Sequence, residues 1–179
     1  SQKKIEQKLN TDSFNKTVIT AFVNARIPVK TSDSQEQHST PIIGKKTIVF
    51  CPGVKHAKAL AEKFNATLGN HPAYQNKLAT EKEFVIAASI SGDLSGKKQR
   101  STLQRLREGK IGVSVGCNLL TVGFDDPAVE VVMNISPTTS KLLQAQRCGR
   151  GTRLSPNTGK RFVTILDWQY QNANDQVFF

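Results

Sequence analysis

Short apolar runs alternating with stretches of helical spacing constrain this chain more than anything else in it. Thr47-Ile48-Val49-Phe50 is followed by residues 54–65, where Val54, Ala57, Leu60, Ala61 and Phe64 recur at helical intervals. Residues 84–90, 111–115, 129–135 and 161–167 are further strand candidates. Residues 96–108 and 139–150 are further helices, the first closed by Gly109. Strands without polar alternation are buried on both faces, so the expected fold is α/β, a three-layer domain with a mostly parallel sheet. In such a sheet functional groups collect in loops at the carboxyl ends of the strands. Those loops are Cys51-Pro52-Gly53, Ser91-Gly92-Asp93, Gly116 to Pro127, and the region after Ile135.

Ahead of this unit, residues 1–26 read as one helix, with Phe14, Val18 and Phe22 on its apolar side and Asp12 or Ser13 as N-cap. Residues 27–46 are polar and turn-rich and read as an exposed link, and residues 66–82 as polar and irregular. The expected organisation is a helical lead-in and polar linker over 1–44 and one domain over 45–179. Cys51, Cys117 and Cys148 are far apart and lack pair spacing, which argues against a disulfide framework and a zinc site. A reducing, cytoplasmic location is expected. No run approaches the roughly 18 apolar residues of a membrane span, so no membrane partner is expected. His38, His56 and His71 do not cluster in the sequence, and no metal site is expected.

The net charge of +11 points to a polyanionic partner such as nucleic acid. The charge is most pointed at Gln146-Arg147-Cys148-Gly149-Arg150-Gly151-Thr152-Arg153. Gln146, Arg150 and Arg153 are spaced four and three apart, so a helix would put them on one face. From Val131 to Leu166 no residue is acidic, while Lys141, Arg147, Arg150, Arg153, Lys160 and Arg161 are cationic. Guanidinium groups without local carboxylates suit phosphate, which they bind bidentately. Ser91-Gly92-Asp93 leads into a basic helix containing Arg100, and a helix N-terminus also favours phosphate. Gly123 permits close backbone approach, and Asp125 can accept from a sugar hydroxyl or simply cap a turn. Gly159-Lys160 lacks the upstream glycine and the following Ser or Thr of a phosphate loop. The chain therefore cannot be a self-sufficient P-loop ATPase, and it would supply one side of a nucleotide site.

Together these residues resemble the second RecA-like domain of superfamily 2 helicases and translocases. Thr47 to Gly53 resembles motif IV, and Ser91-Gly92-Asp93 through Arg100 the glycine-aspartate and Gln-x-x-Arg elements. Asn118 to Pro127 resembles motif V, and Gln146 to Arg153 motif VI. The form Gly-Arg-Gly-Thr-Arg-Leu is nearer to DNA translocases of restriction and repair type than to DEAD-box RNA helicases.

The resemblance implies a RecA-like, P-loop-NTPase-like fold lacking its own P-loop. It implies ATP with Mg2+, bound mainly by an N-terminal RecA-like domain of the same parent chain. Arg150 and Arg153 would be arginine fingers, with Gln146 beside the same phosphate. Asp125 and Gly123 would lie against the nucleotide. Pro52, Gly53, Gly92, Asp93, Arg100, Cys117 and Asn118 would border the nucleic acid, DNA before RNA. Cys117 stands where a threonine is frequent, and Ser91 where a histidine is frequent. The competing readings are an RNA helicase domain, a non-catalytic basic α/β module that grips nucleic acid, and a different nucleotide-binding domain with Arg150 and Arg153 in internal salt bridges.

Overall fold

The computed structural model describes residues 2–29, 38–92, 94–117, 126–153, 155, 158–160 and 162–168. Two helices, α1 (Gln2–Leu9) and α2 (Asp12–Asn24), precede a hairpin of β1 (Arg26–Val29) and β2 (His38–Pro41). Then follow β3 (Thr47–Phe50), α3 (Val54–Leu68), α4 (Pro72–Thr80), β4 (Val85–Ile90), α5 (Gly96–Arg107), β5 (Ile111–Gly116), β6 (Val131–Asn134), α6 (Lys141–Gly149) and β7 (Thr164–Asp167). The larger sheet has the order β4-β5-β3-β6-β7, and every pairing in it is parallel. Thr47 lies opposite Val113 on one side and Val131 on the other, so β3 is the central strand.

One sheet face presents Val49, Val113, Val115, Val131 and Met133 to Phe22, Leu60, Phe64 and Tyr74. The other presents Ile48, Phe50 and Val132 to Leu103 and Leu106 of α5. This is the three-layer parallel arrangement expected of unbroken apolar strands. The end of α5 also follows the expectation. Gly109 takes a φ of +75°, donates to Leu106 O, and Lys110 N returns to Arg105 O, a Schellman stop.

Other expectations are corrected. The lead-in is two helices, broken at Asn10, and Thr11 rather than Asp12 or Ser13 is the N-cap of α2, accepting from Phe14 N at 3.2 Å. Val18, Ile19 and Phe22 are buried in the main core, and Phe22 meets Phe64 edge-on at 5.6 Å. The described part of the supposed link forms the antiparallel β1–β2 pair, with Ile42 fully buried just beyond it. Residues 66–82 are mostly helical, because Pro72 opens α4 at its first turn, where a missing N–H costs nothing. Among the described residues, no helix is long and apolar enough to cross a membrane.

His56 pins α2 to α3. Its Nε2 lies 2.8 Å from Asn15 Oδ1, its ring meets Phe14 edge-on, and it is fully buried. Burial pushes the imidazole from 6.5 down to about 4, against the opposing pull of Glu6. An unfolded chain takes up this proton near 6.5 and the native chain only near 4. Stability is therefore complete above the higher value and is lost as pH falls between the two. Urea unfolding from neutral pH to pH 4 is expected to show a loss of up to about 3 kcal/mol from this group. His56→Gln is expected to start less stable and to flatten that part of the profile.

Candidate nucleotide and nucleic-acid face

The parallel sheet gathers its carboxyl-end loops on one rim. After β3, Cys51 N donates to Gly116 O at 2.7 Å, which ties this loop to the end of β5. Pro52 and Cys51 are buried, and Gly53 is the N-cap of α3 without a side chain to cap it. The cap comes from α1. Glu6 Oε1 accepts from His56 N at 3.0 Å, and Gln2 Nε2 donates to Pro52 O at 2.8 Å. A Cβ built on Gly53 would stand 2.2 Å from the Glu6 carboxyl carbon, so the carboxylate lies directly on the glycine. The N-terminus of α3 thus carries an anion drawn from fifty residues upstream. Nothing in the local sequence around Gly53 announces it.

After β4, Gln99 clasps the turn from α5. Its Nε2 donates to Leu94 O at 2.9 Å and Gly92 O at 3.2 Å. Ser91 is buried, while Gly92 and Arg100 are exposed. Asp93 lies outside the described residues. After β5, Cys117 is half-buried, and Asn118, Gly123 and Asp125 lie outside the described residues. Asp126 is placed: it is buried, pairs with Lys46 at 2.9 Å and accepts from Ala128 N at 3.0 Å. The three cysteines are free thiols, and burial pushes those of Cys51 and Cys148 up.

Beyond β6, Ser140 caps α6 by accepting from Leu143 N at 3.2 Å. Gln146 is exposed near the end of this helix, and Arg150 is its half-buried C-cap. The helix stops at Gly149, so Arg153 does not share its face. Arg153 is carried instead by the turn that follows, and it is exposed. The two glycines beside Arg150 differ in role. Gly149 faces open space, whereas a Cβ on Gly151 would stand 2.3 Å from Val163 Cγ2 and 2.9 Å from Val132 Cγ2. Gly151 lets the turn lie close against the sheet face at Val132 and Val163.

The cations expected to seek phosphate divide into groups. Arg147 points inward, 4% exposed, with Nη1 donating to Ser136 O at 2.8 Å and the guanidinium 5.5 Å from the Phe50 ring. Burial lowers its pKa, partly offset by Asp167. Lys160 donates to Pro127 O at 2.8 Å, Arg153 O at 2.9 Å and Gly151 O at 2.5 Å. Burial lowers its pKa too. Lys141, Arg150 and Arg153 keep solvent access, and Arg161 lies outside the described residues. Asp167, at the end of β7, accepts from Gln144 Nε2 at 2.9 Å and from Asn134 Nδ2.

The remaining candidates have other roles. His71 caps α4 by accepting from Ala73 N, and Trp168 packs half-buried on the core. Tyr170 lies outside the described residues.

A mostly parallel five-stranded sheet flanked by helices on both faces is the architecture of a RecA-like domain. Residues 35–155 match the family described as Helicase conserved C-terminal domain, and the chain belongs to that family. It is 24% identical to the Type I restriction enzyme EcoKI endonuclease subunit of Escherichia coli (strain K12), over 90% of this chain and 13% of that protein. It is 30% identical to the EcoAI endonuclease subunit of Escherichia coli over 69% of this chain and 14% of the relative, and 29% identical to Nucleolar RNA helicase 2 of Rattus norvegicus over 70% and 13%. The chain therefore spans about one seventh of these relatives' length. Among solved structures, a fragment described as an HsdR subunit of a type I restriction enzyme from Vibrio vulnificus YJ016 matches with a TM-score of 0.60 and 26% identity, over 92% of this chain and 28% of that one. Domain 2 of the DEAD-box helicase Mss116p, bound to an RNA duplex, shares the fold at a TM-score of 0.52 and 20% identity, over 69% and 42%. The chain is a superfamily 2 C-terminal RecA-like domain, nearer to the restriction-enzyme type.

Removing the borrowed cap is expected to loosen α1. Glu6→Ala should cost about 1 kcal/mol in urea unfolding, because the N-terminus of α3 loses its acceptor and its compensating charge. The loss should shrink in high salt.

Proposed function

We propose that this chain is the C-terminal motor domain of an ATP-dependent nucleic-acid translocase or helicase, acting on DNA rather than RNA. Residues 1–44 are its lead-in and 45–179 the motor domain proper. By itself it hydrolyses no ATP. The observation that carries the reading is the turn from Gly149 to Arg153. It is seated on Val132 and Val163 through Gly151, follows the last turn of α6, and carries the half-buried Arg150 and the exposed Arg153.

ATP with Mg2+, held mainly by an N-terminal RecA-like domain of the parent chain, supplies the phosphoryl group that passes to water. Two guanidinium groups on one turn fit the γ-phosphate side of such a nucleotide. The metal is held with the nucleotide by that other domain. Arg150 and Arg153 reach across to the transferred group and neutralise the charge spreading over its oxygens. Gln146, on the same side of α6 as Arg150, orients the attacking water. Gly123 and Asp125 lie against the base and ribose side.

Gly92, Asp93, Arg100, Cys117 and Asn118 border the strand, while Pro52 is buried and Gly53 is covered by the Glu6 carboxylate. The turn clasped by Gln99 offers backbone groups and Arg100 to its phosphates. Hydrolysis removes the partner of the fingers, the two domains part, and the strand contacts shift. The free thiols suit a cytoplasmic location.

The isolated chain is expected to turn over ATP at background rate. In the parent protein, Arg150→Ala should lower the DNA-stimulated kcat by about 10³-fold or more while ATP binding persists, measured by steady-state kinetics and nucleotide binding. A parent that hydrolyses normally with this substitution refutes the finger assignment. Duplex DNA is expected to stimulate turnover more than duplex RNA. Binding should weaken steeply with salt and vary little with sequence.

A further inference from the structure

We infer that Lys160 is the positioning residue of the arginine turn, holding Arg150 and Arg153 at the angle from which they reach a phosphate in a partner domain. This rests on the finger reading above.

An ammonium group has three donors. Here all three are spent on backbone carbonyls, those of Gly151, Arg153 and Pro127. Gly151 and Arg153 belong to the turn that carries the fingers. Pro127 closes the segment holding Gly123 and Asp125, the residues expected at the nucleotide. One nitrogen atom therefore ties the arginine turn to Pro127, just ahead of β6, across 33 residues of sequence.

The chain is bent to bring it there. Thr158 N donates to Ser155 O at 3.1 Å, Gly159 adopts a φ of +67°, and Ser155 and Lys160 face each other as an antiparallel bridge. The bridge leaves Lys160 within hydrogen-bond reach of the turn it holds. Only glycine takes that backbone angle without strain.

The bonding pattern separates positioning from simple charge pairing. Glu130 and Asp126 pull on Lys160 only through space, and each has a lysine of its own, Lys45 and Lys46. Burial disfavours the charged ammonium, yet no carboxylate is among its described hydrogen-bond partners. What the group gains is three carbonyls fixed to one point. The turn then has two independent restraints: the valine floor under Gly151, and the ammonium that draws in the carbonyls on either side of Thr152.

The test uses the parent protein and its DNA-stimulated ATPase. Lys160→Met keeps the length of the side chain and removes its donors. It is expected to lower kcat by about 10²-fold, the scale of an ångström-size misplacement, with KM for ATP changed by less than about twofold. Lys160→Arg keeps the charge, but its planar fork cannot converge on three carbonyls, so it should restore only part of the rate. Methylammonium added to Lys160→Ala should recover activity in proportion to its protonated fraction. In the present chain, Lys160→Met should speed amide exchange at Gly151 to Arg153 while β3 and β5 stay protected.

A Lys160→Met enzyme as fast as wild type, alongside an inactive Arg150→Ala, overturns the positioning role and leaves the fingers standing. Exchange rising through the whole core, without rescue by methylammonium, also overturns it, because Lys160 is then merely structural. If Arg150→Ala itself turns over normally, the finger reading falls and this inference falls with it.

Discussion

The structure depends on β3 having hydrogen-bonded neighbours on both sides and helices on both faces. Each of its four residues is buried, with Val49 in one core and Ile48 and Phe50 in the other. A strand in that position has no solvent face on which to place chemistry. Its polar work is confined to its ends, and in a parallel sheet the loops that leave the carboxyl ends all open on one rim. The distribution of functional candidates therefore follows from the same burial that stabilises the domain.

The rim has a particular low point. The connection leaving β3 runs towards β4 and the one leaving β6 runs towards β7, so the chain diverges between two adjacent strands. Open α/β sheets bind ligands in the crevice at such a divergence. Here the crevice is filled by the chain's own cation. Arg147 stacks on Phe50 at the end of β3 and donates to Ser136 just beyond β6. The buried guanidinium has an aromatic face and a carbonyl for partners, and cation–π attraction strengthens as water is excluded. Gln146, exposed, and Arg150, half-buried, flank Arg147 at the end of the same helix.

Much of this was legible from residue order. The strands read as apolar runs because they are buried on both sides, and Gly109 read as a helix stop because its positive φ excludes most other residues. What escaped notice shares a physical cause, which is that charge and polarity do not say where a side chain points. Arg147 and Lys160 read only as part of an acid-free cationic stretch around the expected finger Arg150, yet Arg147 is buried on Phe50, Arg150 is a helix C-cap and Lys160 is a carbonyl clamp. The β1–β2 hairpin escaped because Pro28 and the polar residues around it read as a loop, although an isolated two-stranded edge tolerates proline. The Glu6 cap escaped because its partner is fifty residues away. The expected contacts of Asp93, Asn118, Gly123 and Asp125 lie outside the described residues.

Burial explains why the three basic residues diverge. A guanidinium is weakly hydrated and planar, so Arg147 can slide between an aromatic ring and a backbone carbonyl at modest desolvation cost. An ammonium is compact and strongly hydrated, and leaving water is worthwhile only where each lost contact is replaced. Three carbonyls converging on Lys160 Nζ meet that demand, where Gly151 lies against Val132 and Val163 and Gly159 turns the chain at a positive φ. Arg150, between these two fixtures, has its backbone held from both sides while its side chain remains half-exposed.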